Sequence, residues 1–543
     1  MDRKKILIIV PKFEMHTGKK HRVVNVIPIG LASISAVLKE QGYQVDFLNL
    51  YLYDDMSEEG ICKCLIKNEY DFILTGGLSA HYRCVKYCVK LARQYAPRAR
   101  IVLGGGIITS QPQLMFQSLG PDFIVVGEGD VTIVELLRYL ESHEDLAAVD
   151  GIGFRDNHGD LVLTKPRKPI KDLDTLPWPD YEGLGIDYIL ENTYPSHSYA
   201  YDWVEHPRPY SLLASRSCPF LCTFCFHPIG NKYRQRSIPN IMAELEVAVN
   251  RYRINNIDMY DELFSFDRQR VYDLCREMKR LSESVNWEIR WNCQMRVDTT
   301  DEDLIKTMKD AGCNLLLLGL ESYSQVVLDS MRKKTTPQQI DNTLNLARKA
   351  NLSVQGNFIF GDVAETKETA NETLTYWKNN HDIFGAGVSL DFIQLYPGTK
   401  LYKHAVEKKI IKDEIDFVEN HIFDRINVTE KIIDKDFDHL FTELIEARFK
   451  YSKYLLPFKK KKRNGVWEVS VKCPYCKNVS IYRNYIPPGF RSYHRNDICC
   501  QVCRLRFYLV SLPFMLFVYL FRIIPSRFKP TLYTLMQFMK ALN

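Results

Sequence analysis

No apolar run in this sequence is long enough to cross a bilayer, and the nearest approach, Tyr508 to Phe521, is interrupted by Pro513. Charge of one sign is also scarce. Lys and Arg number 72 against 66 Asp and Glu, a formal net charge of +6 over 543 residues, too mild to require a polyanionic partner. Before the strand-like Ile6 to Val10 there is neither an apolar h-region nor a small-residue cleavage site, so the expected compartment is the reducing cytoplasm. What the chain does have is fifteen cysteines. In such a compartment cysteines are either small buried hydrophobes or metal and redox ligands, and spacing separates the two. Cys62, Cys64, Cys84, Cys88, Cys275, Cys293 and Cys313 are scattered through helix- and strand-like segments and are expected to pack in cores.

A chain this long exceeds one core and implies several domains. From Lys5 to about Leu140, five short apolar runs alternate with amphipathic stretches, which predicts an α/β fold: a doubly wound, flavodoxin-like parallel sheet over 1–145. Glycines cluster where its strands should end, at Gly76-Gly77, Gly104-Gly105-Gly106 and Gly127-Glu128-Gly129, favouring a ligand crevice at the carboxyl edge. Proline-rich sequence over 146–209 reads as a linker. Six further βα units over 210–402 predict a partial (βα)6 barrel. A helical extension and a solvated basic linker, Lys459 to Arg463, fill 403–463; a cysteine-rich module occupies 464–507 and an apolar tail 508–543.

The central motif is Cys218-Pro-Phe-Leu-Cys222-Thr-Phe-Cys225, placed directly after the first strand of the second region, on a βα loop at the catalytic edge. A compact loop gathers thiolates that helix or strand spacing would scatter over different faces. A disulfide cannot use all three, and zinc would need a fourth ligand, with His227 the near candidate. At these residues the sequence resembles the radical S-adenosylmethionine superfamily. The resemblance implies that Cys218, Cys222 and Cys225 bind a [4Fe-4S] cluster whose open iron chelates S-adenosylmethionine, with an electron donor such as flavodoxin or ferredoxin. Phe224 matches the family's aromatic residue before the third cysteine. Tyr233-Arg-Gln-Arg236 resembles its post-cluster segment, and by the same resemblance Asp261 or Glu262, Arg296 and Glu321 would contact the methionine moiety or cofactor. Helix capping by the acids and structural salt bridging by Arg296 and Glu321 are the rival readings. Gly356 and Gly361, followed by Glu365, resemble the glycine-bearing fifth strand near adenine, and Tyr396-Pro-Gly398-Thr399 completes the match.

The amino-terminal region resembles the cobalamin-binding domain of one branch of that superfamily, which implies cobalamin as a second cofactor and places Ser79, Gly104, Gly105, Gly127 and Glu128 beside it. The Asp-x-His-x-x-Gly signature for histidine ligation of cobalt is absent: Glu14-Met-His16-Thr-Gly18 is a near miss, and His16 and His81 read as ordinary surface histidines.

Two pairs, Cys473-x2-Cys476 and Cys500-x2-Cys503, have zinc-ribbon spacing and form a closed four-thiolate site, with Zn2+ expected and rubredoxin-like iron the rival. The segment 508–529 either buries against the folded body or docks peripherally on a membrane. The resemblance implies methyl transfer to an unactivated carbon of a small-molecule or peptide substrate, with ring formation or oxidation as alternatives. A competing expectation is a nucleic-acid-binding zinc-ribbon protein in which the cluster is structural.

Overall fold

Strands buried on both faces of a sheet need continuous apolar runs, and Ile6–Val10 and Phe72–Leu74 supply them with fully buried side chains. In the computed structural model, which describes residues 4–12, 27–52, 58–195, 203–485, 495–529 and 531–534, these runs are β1 (Lys5–Val10) and β3 (Phe72–Gly76). With β2 (Gln44–Asn49), β4 (Arg100–Gly104) and β5 (Phe123–Val125) they form a parallel sheet in the order β2-β1-β3-β4-β5. That is the flavodoxin-like order, as expected. Val37 and Leu38 of helix Ile29–Glu40, and Ile133, Leu136 and Leu137 of helix Gly129–Ser142, close one core with it. Glu14, His16 and Gly18 lie outside the described residues.

The linker expectation needs correction. β6 (Ile152–Arg155) and β7 (Leu161–Leu163) form a hairpin that pairs antiparallel with β5 and extends the sheet to seven strands. Runs of four and three residues are too short to show a period.

The chain packs as two units. One holds 1–192, 215–240 and 394–425; the other holds 193–214, 241–393 and 426–543. β8 (Pro209–Leu212) belongs to the second unit. The two-residue strands β9 (Ser215–Arg216) and β10 (Arg234–Gln235), which bracket the cysteine loop, pack with the first. In the second unit β8, β11 (Asn256–Met259), β12 (Arg290–Met295), β13 (Cys313–Glu321), β14 (Ser353–Phe360) and β15 (Val388–Phe392) lie parallel in that order. These are the six βα units expected as a partial barrel, in an unclosed sheet with β8 and β15 at its edges. Cys275, Cys293 and Cys313 are buried in this unit and Cys62, Cys84 and Cys88 in the first; Cys64 is half-buried. Desolvation pushes the Cys275 thiol up to about 12, so it packs as a hydrophobe.

Beyond helix Asp434–Tyr451 come β16 (Tyr454–Leu455), β17 (Lys459–Arg463), β18 (Val466–Lys472), β19 (Val479–Tyr485), β20 (Arg495–Cys499) and β21 (Arg506–Val510). The basic run is therefore not a linker. As β17 it is the edge of the sheet β17-β18-β19, a place where lysines discourage further strand pairing. The apolar tail is likewise structured: 508–510 belong to β21, and Pro513 sits in the first turn of helix Leu512–Ile523, where its missing N–H costs nothing. Phe514, Phe517, Val518 and Phe521 pack on Ile445 and Phe449 of helix Asp434–Tyr451. Leu512, Leu516, Tyr519, Leu520 and Ile523 face outward. Among the described residues no helix is long and apolar enough to cross a membrane.

Candidate functional site

The cysteine loop is closed at its base by a two-residue antiparallel ladder that pairs Arg216 with Arg234 and Ser215 with Gln235. Between these strands Ser217 takes a left-handed backbone (φ 69°), a conformation that costs a non-glycine residue about 1–3 kcal/mol and persists only where its surroundings impose it. Here they do. Ser217 Oγ accepts from Arg234 Nη2 at 3.1 Å and donates to the Ile229 carbonyl at 3.4 Å. The turn that follows is set by Cys225 N–H donating to Cys222 O (3.2 Å), and Leu401 N–H holds Thr223 O (3.1 Å). Cys222 is buried, Cys218 half-buried and Cys225 exposed; Phe224 is half-buried between the last two.

Among the described residues, one group of Cys, His or acidic side chains has its ligand atoms within 4.8 Å of one another, and it is Cys473, Cys476, Cys500 and Cys503. That group does not include Cys218, Cys222 and Cys225. Three thiolates on one short loop suit an iron–sulfur cube with one iron left open, whereas a closed mononuclear site would need a fourth ligand.

An ion-pair clasp holds this loop to the β5 end of the sheet in the same unit. Arg234 Nη1 lies 2.8 Å from both Glu128 carboxylate oxygens and donates to Ile170 O at 2.8 Å. Arg216 Nη1 reaches Glu128 Oε1 (3.1 Å) and Asp130 Oδ2 (2.8 Å), and its Nη2 reaches Asp130 Oδ1 (3.1 Å). Ile170 N–H donates to Glu128 Oε2 at 2.8 Å. Two guanidinium groups face two carboxylates, all largely buried, so deleting one leaves an uncompensated charge at a cost of about 3–5 kcal/mol. Glu128, placed beside the corrin by resemblance, is thus engaged inside the protein. Arg216, Arg234, Asp130 and Ser217 were not singled out from sequence. The available signal was an arginine on each side of the cysteine motif, Arg216 two positions before Cys218 and Arg234 nine after Cys225.

At the carboxyl edge the glycine turns pack against each other. A Cβ at Gly76 would lie 2.2 Å from Gly104 O, and Gly105 (φ 77°) packs on Gly77 O. At Gly127 (φ 84°) a Cβ would meet nothing within 4 Å. Its N–H donates to Thr109 Oγ1 (2.9 Å), and it borders a cavity of about 550 Å³ lined also by Gly151, Pro169 and Pro228 to Gly230. Ser79 is buried in the turn after β3. The surface reading of His81 is overturned: it is buried, Nδ1 accepts from Leu78 N–H at 3.0 Å, and desolvation lowers its pKa to about 4. Phe226, next to Cys225, lies between two glycines; added Cβ atoms would come 3.5 Å from its ring at Gly106 and 2.4 Å at Gly398 (φ 90°). Open space at Gly127, beside the cavity, leaves room for a ligand to approach the backbone at this edge.

The remaining candidates stand in the second unit, at or just beyond the carboxyl ends of its strands except Gly356, which lies within β14. Asp261 is buried and accepts from Ala214 N–H (3.4 Å), while Glu262 is exposed. Arg296 pairs with Asp298 through Nε (2.9 Å) and Nη2 (2.8 Å) and donates to Lys333 O at 2.7 Å. Glu321 sits at a register shift with φ 63° and pairs with Lys333 Nζ at 2.7 Å. Gly356 permits strand packing, since a Cβ there would be 2.7 Å from Leu318 O; Gly361 (φ 102°) donates to Glu365 Oε2 at 2.5 Å. Burial pushes Glu365 up to about 8 and Asp258, on β11 beside Asn292, up to about 7.

The sequence patterns of two families match parts of the chain. The radical SAM superfamily matches residues 212–376, and the B12 binding domain matches residues 19–137. The chain carries a radical SAM domain preceded by a B12-binding domain. An uncharacterized methyltransferase of Pyrococcus horikoshii is 29% identical over 419 residues, 75% of this chain and 84% of that protein. The anaerobic magnesium-protoporphyrin IX monomethyl ester cyclase of Cereibacter sphaeroides is 26% identical over 385 residues, 68% of this chain and 59% of that one. The fold is shared with the radical S-adenosylmethionine methyltransferase TsrM of Kitasatospora setae, solved with cobalamin and a [4Fe-4S] cluster. Its TM-score is 0.59 at 16% identity, over 74% of this chain and 75% of that one.

Proposed function

We propose that this chain is a cobalamin-dependent radical SAM methyltransferase acting on an unactivated carbon of a small molecule. When bound, the cluster and S-adenosylmethionine supply a one-electron cleavage that yields the 5′-deoxyadenosyl radical, and cobalamin supplies the methyl group. Cys218, Cys222 and Cys225 hold the cluster. Arg216, Arg234 and Ser217 fix the backbone that aims them, and the Gly127 edge takes the corrin. Glu262 and the Lys333–Glu321 pair offer charge to the amino and carboxylate groups of the methionine moiety. The observation that carries the reading is the cysteine loop clasped to the carboxyl edge of a doubly wound sheet within one packing unit. The methyltransferases among its relatives support methyl transfer; the cyclase keeps ring formation as the second reading. A flavodoxin or ferredoxin is the electron donor this chemistry calls for, and the outward apolar stripe of helix Leu512–Ile523 supports peripheral contact with lipid.

The test is anaerobic reconstitution with iron, sulfide and methylcobalamin, followed by turnover with S-adenosylmethionine carrying a deuterated methyl group. The reading expects 5′-deoxyadenosine together with label in a product of the native extract. Deoxyadenosine with an unlabelled, dehydrogenated product would shift the assignment to ring formation.

A further inference from the structure

The four-cysteine module fits a tetrahedral metal closely. Cys473 and Cys503 sulfurs are 3.7 Å apart and Cys476 and Cys500 sulfurs 3.8 Å, where zinc with bonds near 2.3 Å sets tetrahedral sulfurs about 3.8 Å apart. Each knuckle ends in a left-handed residue one position past its second cysteine, Lys477 (φ 65°) and Arg504 (φ 61°), and the N–H groups of Val502 and Cys503 point at Cys500 Sγ. Metal ligation accounts for the knuckles. It does not account for where the module is attached.

Within the second unit the module grips the chain as it enters both edge strands of the six-stranded sheet. On the β8 side Trp203 is buried in one core with Val469, Tyr482, Cys500 and Cys503. Its Nε1 donates to Arg483 O at 3.1 Å, its ring meets Tyr482 edge-on at 5.1 Å, and Asn484 Nδ2 donates to Glu205 O at 2.7 Å. On the β15 side Ala386 N–H donates to Arg506 O at 2.8 Å, and Gly385 (φ 63°) has no room for a Cβ, which would lie 2.6 Å from that carbonyl. The neighbouring strand β14 is held as well: Arg506 Nε donates to Ser353 Oγ (3.2 Å), and Arg348 Nη1 donates to Cys503 O (3.3 Å). An unclosed parallel sheet has no ladder between its two edge strands, so something else must fix their amino ends.

We propose that the metal held by Cys473, Cys476, Cys500 and Cys503 is a staple for the open sheet, fastening the amino ends of β8 and β15 through one small core. The staple orders the catalytic unit from the edge opposite its chemistry. It stands on these contacts and does not depend on methyl transfer.

The test uses the full chain, with zinc and iron counted before and after zinc is withdrawn by a chelator, and hydrogen exchange read by mass spectrometry. Withdrawal is expected to speed exchange roughly tenfold or more at Tyr210–Leu212 and Val388–Phe392, to leave Phe72–Gly76 of the other unit unchanged, and to be reversed by zinc alone. Trp203→Ala is expected to keep its zinc and to speed exchange at Tyr210–Leu212 only. Faster exchange confined to 459–510 after withdrawal would overturn the proposal, as would a chain that carries no metal on these cysteines yet protects both edges. If withdrawal aggregates the chain, Trp203→Ala decides: wild-type exchange at β8 overturns the staple.

Discussion

Arg234 reaches Glu128 and Ser217 with one guanidinium: Nη1 lies 2.8 Å from each Glu128 carboxylate oxygen, and Nη2 donates to Ser217 Oγ at 3.1 Å. A strained residue adjoining the first cluster cysteine is thereby tied to the sheet edge assigned to the corrin. The tie is a matter of position, since neither Arg234 nor Glu128 has a group left to offer a ligand.

Arg234→Ala should therefore lower cluster occupancy without touching a thiol. With Arg216 alone left to face the buried carboxylates of Glu128 and Asp130, the expected loss in stability is about 3–5 kcal/mol. Iron per chain after reconstitution should fall, and the electron paramagnetic resonance line of the remaining reduced cluster should broaden. Arg234→Lys should recover part of the iron, because it restores the charge but not the fork. Wild-type iron content in Arg234→Ala would remove the positioning role.

Gly398→Val tests the seat of Phe226. A Cβ there falls 2.4 Å from the ring, at φ 90°, so the ring or the backbone must shift. Overpacking of this kind costs about 1–3 kcal/mol, and more with the backbone penalty. The melting temperature should drop, and Phe226→Ala in the same chain should restore part of it.

Stability should fall with rising pH. Burial raises Glu365 from 4.5 to about 8 and Asp258 from 3.8 to about 7, so the folded chain keeps protons that the unfolded chain releases. Their contribution is fully present below pH 3.8 to 4.5 and is lost as pH rises through about 7 to 8. Urea midpoints for the second unit should decline between pH 5 and pH 8.5, and Glu365→Gln should flatten the decline. An unchanged slope in that variant would mean Glu365 is not the titrating group.

Much of this was legible in the sequence. Apolar runs at Ile6–Val10 and Phe72–Leu74 gave the doubly wound sheet, because strands covered on both faces carry their own signature. The cysteine spacing gave the loop. The hairpin at Ile152–Arg155 and Leu161–Leu163 was hidden by its shortness, and Lys459–Arg463 by composition, since a lysine run on a sheet edge looks like a solvated tether. The buried state of His81 and the partners of Arg234 are long-range facts: Glu128 is 106 positions away, and no local pattern joins them.

The helix Leu512–Ile523 should bind lipid through its outward stripe. Anionic vesicles are expected to sediment the wild-type chain, less so at high salt, where the five exposed bases of Lys459–Arg463 are screened. Leu516→Glu with Ile523→Glu, which leaves the inward phenylalanines in place, should weaken binding roughly tenfold or more. Equal sedimentation of the variant would discard the membrane contact.

The most direct test of the central claim is the iron and sulfide content of anaerobically reconstituted wild type beside Cys218→Ala, Cys222→Ala and Cys225→Ala, with resonance spectra of the reduced proteins before and after S-adenosylmethionine is added. The account predicts about four iron and four sulfide per wild-type chain, a spectrum that shifts on adding S-adenosylmethionine, and loss of both in each variant. A full cluster that survives any one of these substitutions, or a wild-type spectrum indifferent to S-adenosylmethionine, would contradict it.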